Sequence, residues 1–96
     1  MSYPFDTEKL IELCRRQDVA LLGVFGSVAR GKAAEDSDVD LLVRFSHPKS
    51  LLATIALERQ MAEAIGRRVD LVTEAALSPY IRDSALEDLE ILYDAG

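Results

Sequence analysis

Apolar residues along this chain fall into four short runs, separated by stretches in which apolar positions recur at helical spacing. The first run, Val19-Ala20-Leu21-Leu22-Gly23-Val24-Phe25, has almost no polar residue and predicts a buried central strand. The second, over 38–45, has an acidic head, Asp38-Val39-Asp40, and an apolar body, Leu41-Leu42-Val43. The third, Arg68-Val69-Asp70-Leu71-Val72-Thr73, repeats that design with one acid. The fourth, Leu89-Glu90-Ile91-Leu92-Tyr93, is read as an edge strand in preference to a continuation of the preceding helix.

Between these runs, Leu10, Ile11 and Cys14 predict a helix over 7–16, with Asp6 as N-cap, Glu8 in the first turn and Arg15 and Arg16 in the last. Residues 27–34 read as a turn into a short helix or loop, and Glu35-Asp36-Ser37 as a second turn. A long helix is expected from Pro48 to about Ile65, with Leu51, Ile55, Ala62 and Ile65 as its core stripe and Gly66 as its stop. For Met61 a surface position is left open. Ser78 and Pro79 open a last helix to about Leu86. The alternation predicts an α/β (α+β) fold, a small mixed β-sheet with helices covering one face.

The length, 96 residues, suits one small domain spanning 1–96. Acids outnumber bases, 17 to 11, for a net charge of −6, which disfavours a stand-alone nucleic-acid binder, because such binders draw affinity from neutralising phosphates with a basic face. An acidic chain can still bind an anionic ligand that arrives with a divalent metal. No apolar run approaches a membrane span, the first residues lack the pattern of a secretory signal, and Cys14 is the only cysteine. A core thiol in a reducing cytoplasm is expected.

The acidic strand heads carry the chemistry. Side chains alternate along a strand, so Asp38 and Asp40 point to one face while Val39 and Leu41 point to the other. Two carboxylates about 4 Å apart repel by roughly 1 kcal/mol in water and about 4 kcal/mol at an effective dielectric of 20, so they are splayed, paired with bases, or bound to a cation. If the third strand lies beside the second in register, Asp70 completes a trio able to hold two Mg²⁺ ions for an in-line phosphoryl displacement. Across the gap, Gly26 permits close backbone approach, Ser27 offers a hydroxyl, and Arg30 and Lys32 add positive charge. Each feature alone also fits ordinary turn chemistry. Together, at about 5% per required residue and about 80 starting positions, chance gives Gly-Ser-x10-Asp-x-Asp roughly 0.0005 times in a chain this long.

That pattern, Gly26-Ser27, ten residues, then Asp38-Val39-Asp40, resembles the signature of the DNA polymerase β-like nucleotidyltransferase superfamily; Arg30 and Gly31 fit its usual loop and Asp70 matches its third acid. The resemblance covers residues 7 to 94. At this length, and through the stretch from Leu77-Ser78-Pro79 to Ile91-Leu92-Tyr93, the chain is most similar to the minimal nucleotidyltransferases, antitoxin partners of HEPN-domain ribonuclease toxins. The resemblance implies Mg²⁺-dependent transfer of AMP from ATP to a tyrosine hydroxyl of the toxin. It implies that Gly26, Ser27 and Arg30 serve the nucleotide, that Asp38 and Asp40 ligate both metals, and that Asp70 ligates one and helps remove the acceptor's proton.

Larger enzymes of that superfamily carry a second domain that grips the base or acceptor. Here the missing wall is expected from a partner protein or a second copy of this chain. Two alternatives stand beside this reading: neutralisation of a partner by binding alone, and transfer to a small molecule or an RNA end. The remaining polar and aromatic candidates read as structural. His47 is expected at a helix entry, Tyr80 and Tyr93 in packing, and Arg67-Arg68 as a solvated pair.

Overall fold

A computed structural model of the chain describes residues 3–29, 31 and 38–95, without the side chain of Ser27. Helix α1 (Thr7–Arg16) leads into strand β1 (Val19–Phe25) and the single turn α2 (Gly26–Ala29); β2 (Val39–Phe45), α3 (Leu51–Ile65) and β3 (Val69–Thr73) follow. A short 3-10 turn, Glu74–Ala76, then precedes α4 (Pro79–Asp88) and β4 (Glu90–Asp94). The strands form one mixed sheet in the order β3-β2-β1-β4. β1 runs antiparallel to β2 and β4, while β2 and β3 are parallel, joined through α3 as a parallel pair requires.

Local chemistry sets the helix ends. The Asp6 carboxylate accepts from the Glu8 backbone N–H at 3.0 Å, satisfying a donor at the start of α1. Ser50 rather than Pro48 opens α3: its hydroxyl accepts from the Ala53 N–H at 3.1 Å, and the helix begins at Leu51. Gly66, at φ 68°, ends it in the left-handed conformation. Ser78 caps α4, with Pro79 at its first position. The fourth apolar run is a strand, as its pattern suggested.

The sheet separates two cores. On one face Leu22, Val24, Val39, Leu41, Val43 and Leu71 pack against Leu10 and Cys14 of α1 and Leu57 and Met61 of α3. On the other, Leu42 meets Leu77 and Ala85, with Phe25, Val72 and Leu89 around them. The helices therefore do not share one face as expected: α1 and α3 cover the first, and α4 the second.

The core stripe of α3 also differs from expectation. Met61 is fully buried, whereas Leu51 and Leu52 are 75% and 79% exposed and Ile55 is exposed as well. Leu57 and Met61, four residues apart, face the sheet; of the expected stripe, Leu51 and Ile55 are exposed while Ile65 packs, partly buried, against the same core. Glu58 of the same helix accepts from the Leu71 N–H at 2.8 Å, which occupies part of the outer edge of β3. Cys14 is a core thiol, and burial pushes its pKa up to about 12. Tyr80, expected in packing, is 95% exposed at the start of α4; Tyr93 does pack, partly buried, against the first core.

Candidate active site

Strand register brings the acids together. β2 and β3 pair with Asp40 beside Asp70, flanked by Val39 beside Val69 and Leu41 beside Leu71. Because neighbours in register share a face, both aspartates project on the α4 side of the sheet, on the same side as Leu42. Asp38 sits one residue before β2, and Val39 donates its N–H to the Arg68 carbonyl at 2.9 Å. One step along the register sets Arg68 beside Asp38, and the Arg68 Nε lies 3.3 Å from Asp38 Oδ1.

The third wall is the end of β1. Phe25 is the partner of Asp40 across the antiparallel pair, so the chain leaves β1 directly against the acid head of β2. There Gly26 takes φ 75°, a region that costs a side-chain-bearing residue strain. A Cβ built at Gly26 would run into the Asp40 carboxylate. Glycine is thus required twice at this position, for the backbone turn and for the space that Asp40 fills. Three separate chain segments, at Gly26, Asp38–Asp40 and Asp70, meet at one end of the sheet.

The sequence-predicted candidates are not all in view. Arg30, Lys32 and the turn Glu35-Asp36-Ser37 lie outside the described residues, as does the side chain of Ser27. The backbone of Ser27 continues from Gly26 into α2. Arg68, read from sequence as one of a solvated pair, is indeed solvent-exposed, but its guanidinium engages Asp38. Only the parallel register, which sequence does not display, reveals that contact. Arg67 beside it is half-buried rather than solvated.

The donor set suits a hard cation: carboxylate oxygens are what Mg²⁺ takes, and the lack of a side chain at Gly26 lets the Asp40 carboxylate sit at the end of β1. The side chains are not gathered, however. Among the described residues, no group of three Asp, Glu, His or Cys side chains is placed to hold a metal ion. Asp38 is engaged by Arg68. The residues fit a divalent cation by chemistry and strand register, with the three carboxylates still to be drawn together.

Chemically, such a site can hold a polyphosphate. One end of the sheet presents acids able to share a cation with phosphate oxygens, beside a glycine turn that admits close approach. Among the described residues no helix is long and apolar enough to cross a membrane.

The chain is similar to known proteins over most of its length. The model of the nucleotidyltransferase domain family matches residues 7–92. Protein adenylyltransferase MntA of Thermococcus cleftensis is 46% identical over 78 residues, 81% of this chain and 79% of that protein. A solved candidate minimal nucleotidyltransferase superposes with a TM-score of 0.75 at 42% identity, covering 88% of this chain and 86% of its own. A crystal structure of a toxin–antitoxin pair with AMP-PNP gives a TM-score of 0.80 at 25% identity, over 93% of this chain and 73% of that one. With the family model matching most of its length and a relative 46% identical over 81% of it, the chain belongs to the nucleotidyltransferase domain family.

Proposed function

We propose that this nucleotidyltransferase transfers AMP from ATP to a tyrosine hydroxyl on a HEPN-family ribonuclease toxin, in the cytoplasm, and so acts as that toxin's antitoxin. The observation that carries the reading is the register of Asp40 with Asp70, with Gly26 turning against Asp40. Similarity to a protein adenylyltransferase supports a protein acceptor, and similarity to a toxin–antitoxin structure with AMP-PNP supports both the partner and the nucleotide.

In this reading Gly26 and Ser27 cradle the triphosphate and Arg30 adds positive charge beside it. Asp38, Asp40 and Asp70 would hold Mg²⁺, two ions in a full site. When bound, the metal would supply charge that offsets the negative charge of the transferring phosphoryl group. The tyrosine oxygen bonds to the α-phosphorus as the bond to the β-phosphate bridging oxygen breaks. The hydroxyl proton passes to the Asp70 carboxylate and pyrophosphate leaves. Asp70 suits this role because it lies on the outermost strand, β3, where an acceptor from outside can reach it.

The test uses the chain with ATP labelled at the α-phosphate, Mg²⁺ and the product of the adjacent reading frame, which the reading expects to be a short helical protein carrying Arg-x4-6-His near a tyrosine. Label is expected on that tyrosine, with loss of the partner's ribonuclease activity, and none when the tyrosine is phenylalanine. Equal silencing of the partner without ATP contradicts the transfer. Label on a small molecule or RNA end, with none on protein, contradicts the acceptor.

A further inference from the structure

Among the described residues, the Arg68 guanidinium contacts the acid cluster at Asp38. Its side chain is 84% exposed and that of Asp38 55%, so the pair is held by a single contact at the surface and parts at little cost. Position nevertheless makes it consequential. The guanidinium sits at the head of β3, two residues from Asp70, and engages one of the three acids that a shared cation would draw together.

We propose that Arg68 is a displaceable counter-ion of the active site. Paired with Asp38 it opposes loading by a divalent cation alone, and it is released when a nucleoside triphosphate offers its phosphates as a better partner. The proposal rests on the reading of Asp38, Asp40 and Asp70 as the cation's ligands. Two physical terms act in the same direction. The cation must compete with the guanidinium for Asp38, and it is repelled by that fixed positive charge. A triphosphate reverses both, because a planar guanidinium binds phosphate oxygens with two parallel hydrogen bonds, more strongly than it holds one carboxylate oxygen at an exposed site. Metal and nucleotide then load together, and an empty site does not collect a stray cation.

The two effects of removing Arg68 have opposite signs, which a merely structural role would not produce. Mn²⁺ binding is measured by the loss of the free ion's electron paramagnetic resonance signal. AMP-PNP binding is measured by calorimetry at saturating Mn²⁺. The proteins are the wild type, Arg68→Gln, Arg68→Lys and Asp38→Asn/Asp40→Asn, each checked for folding by circular dichroism. Arg68→Gln is expected to bind Mn²⁺ alone about three- to tenfold more tightly than wild type, and AMP-PNP more weakly by a similar factor. Arg68→Lys, which keeps the charge and loses the planar fork, should stay near wild type for Mn²⁺ and still bind AMP-PNP more weakly. Unchanged or weaker Mn²⁺ binding by Arg68→Gln, together with lost binding in the double aspartate variant, overturns the counter-ion role and leaves the acid reading standing. Wild-type Mn²⁺ affinity in the double variant overturns the acid reading itself. Unchanged AMP-PNP affinity in Arg68→Gln overturns the release to phosphate.

Discussion

Replacing Asp40 by asparagine is expected to lower adenylyl transfer by on the order of 10³-fold while the chain folds as before. Asparagine matches the shape of aspartate and removes only its charge. The effect is large because Asp40 is the central acid, beside Asp70 on β3 and against the Gly26 turn on β1. No neighbouring group can take over its position, because the adjacent β2 side chains, Val39 and Leu41, point into the apolar core. Folding of the variant is checked separately, because the rate loss assigns Asp40 to the chemistry only where the fold is kept. Rates from single-turnover transfer and melting by circular dichroism give the two halves of the result. Loss of activity with a lowered melting temperature would mean that the substitution damaged the fold, and near wild-type transfer would remove Asp40 from the chemistry.

The second large effect is expected at Gly26. An alanine there keeps φ near 75° at a cost of about 1–3 kcal/mol, and its Cβ drives into the Asp40 carboxylate. The carboxylate must yield, and a displacement of about 1 Å in a reacting group costs on the order of 10²-fold in rate. Gly26→Ala therefore loses both stability and transfer. Gly66 separates the two contributions. It has a similar φ of 68° at the end of α3, but a Cβ there meets nothing within 4 Å. Gly66→Ala should cost comparable stability by chemical denaturation and leave the transfer rate within about twofold of wild type. Equal rate losses in the two variants would show that general strain, not crowding of Asp40, governs the site.

Much of this arrangement was legible in the chain. Strand alternation placed Asp38 and Asp40 on one face, and the repeat of an acid in Val69-Asp70-Leu71 suggested a second contributing strand. The Asp6 and Ser78 caps and the Gly66 stop are local signals, set by side chains and backbone within a few residues. What sequence did not carry is set by neighbours distant along the chain. The buried face of α3 is only partly legible, because Leu51, Leu52, Ile55, Leu57 and Met61 are all apolar and contact with the sheet alone selects Leu57 and Met61 beside Ile65. Its start is set by the Ser50 cap rather than by Pro48. Placement of α4 on the opposite face depends on Leu77 and Ala85 meeting Leu42, a contact with no periodic signature. The pairing of Arg68 with Asp38 follows from the parallel register of β2 and β3, which no local motif encodes.

The most direct measurement is anomalous diffraction from crystals grown with Mn²⁺ and AMP-PNP. The account predicts anomalous peaks within bonding distance of carboxylate oxygens from Asp38, Asp40 and Asp70, shared with phosphate oxygens, and Arg68 turned away from Asp38. Nucleotide bound elsewhere on the chain, or bound at this end of the sheet with Asp38 still on Arg68 and no peak among the aspartates, would contradict it.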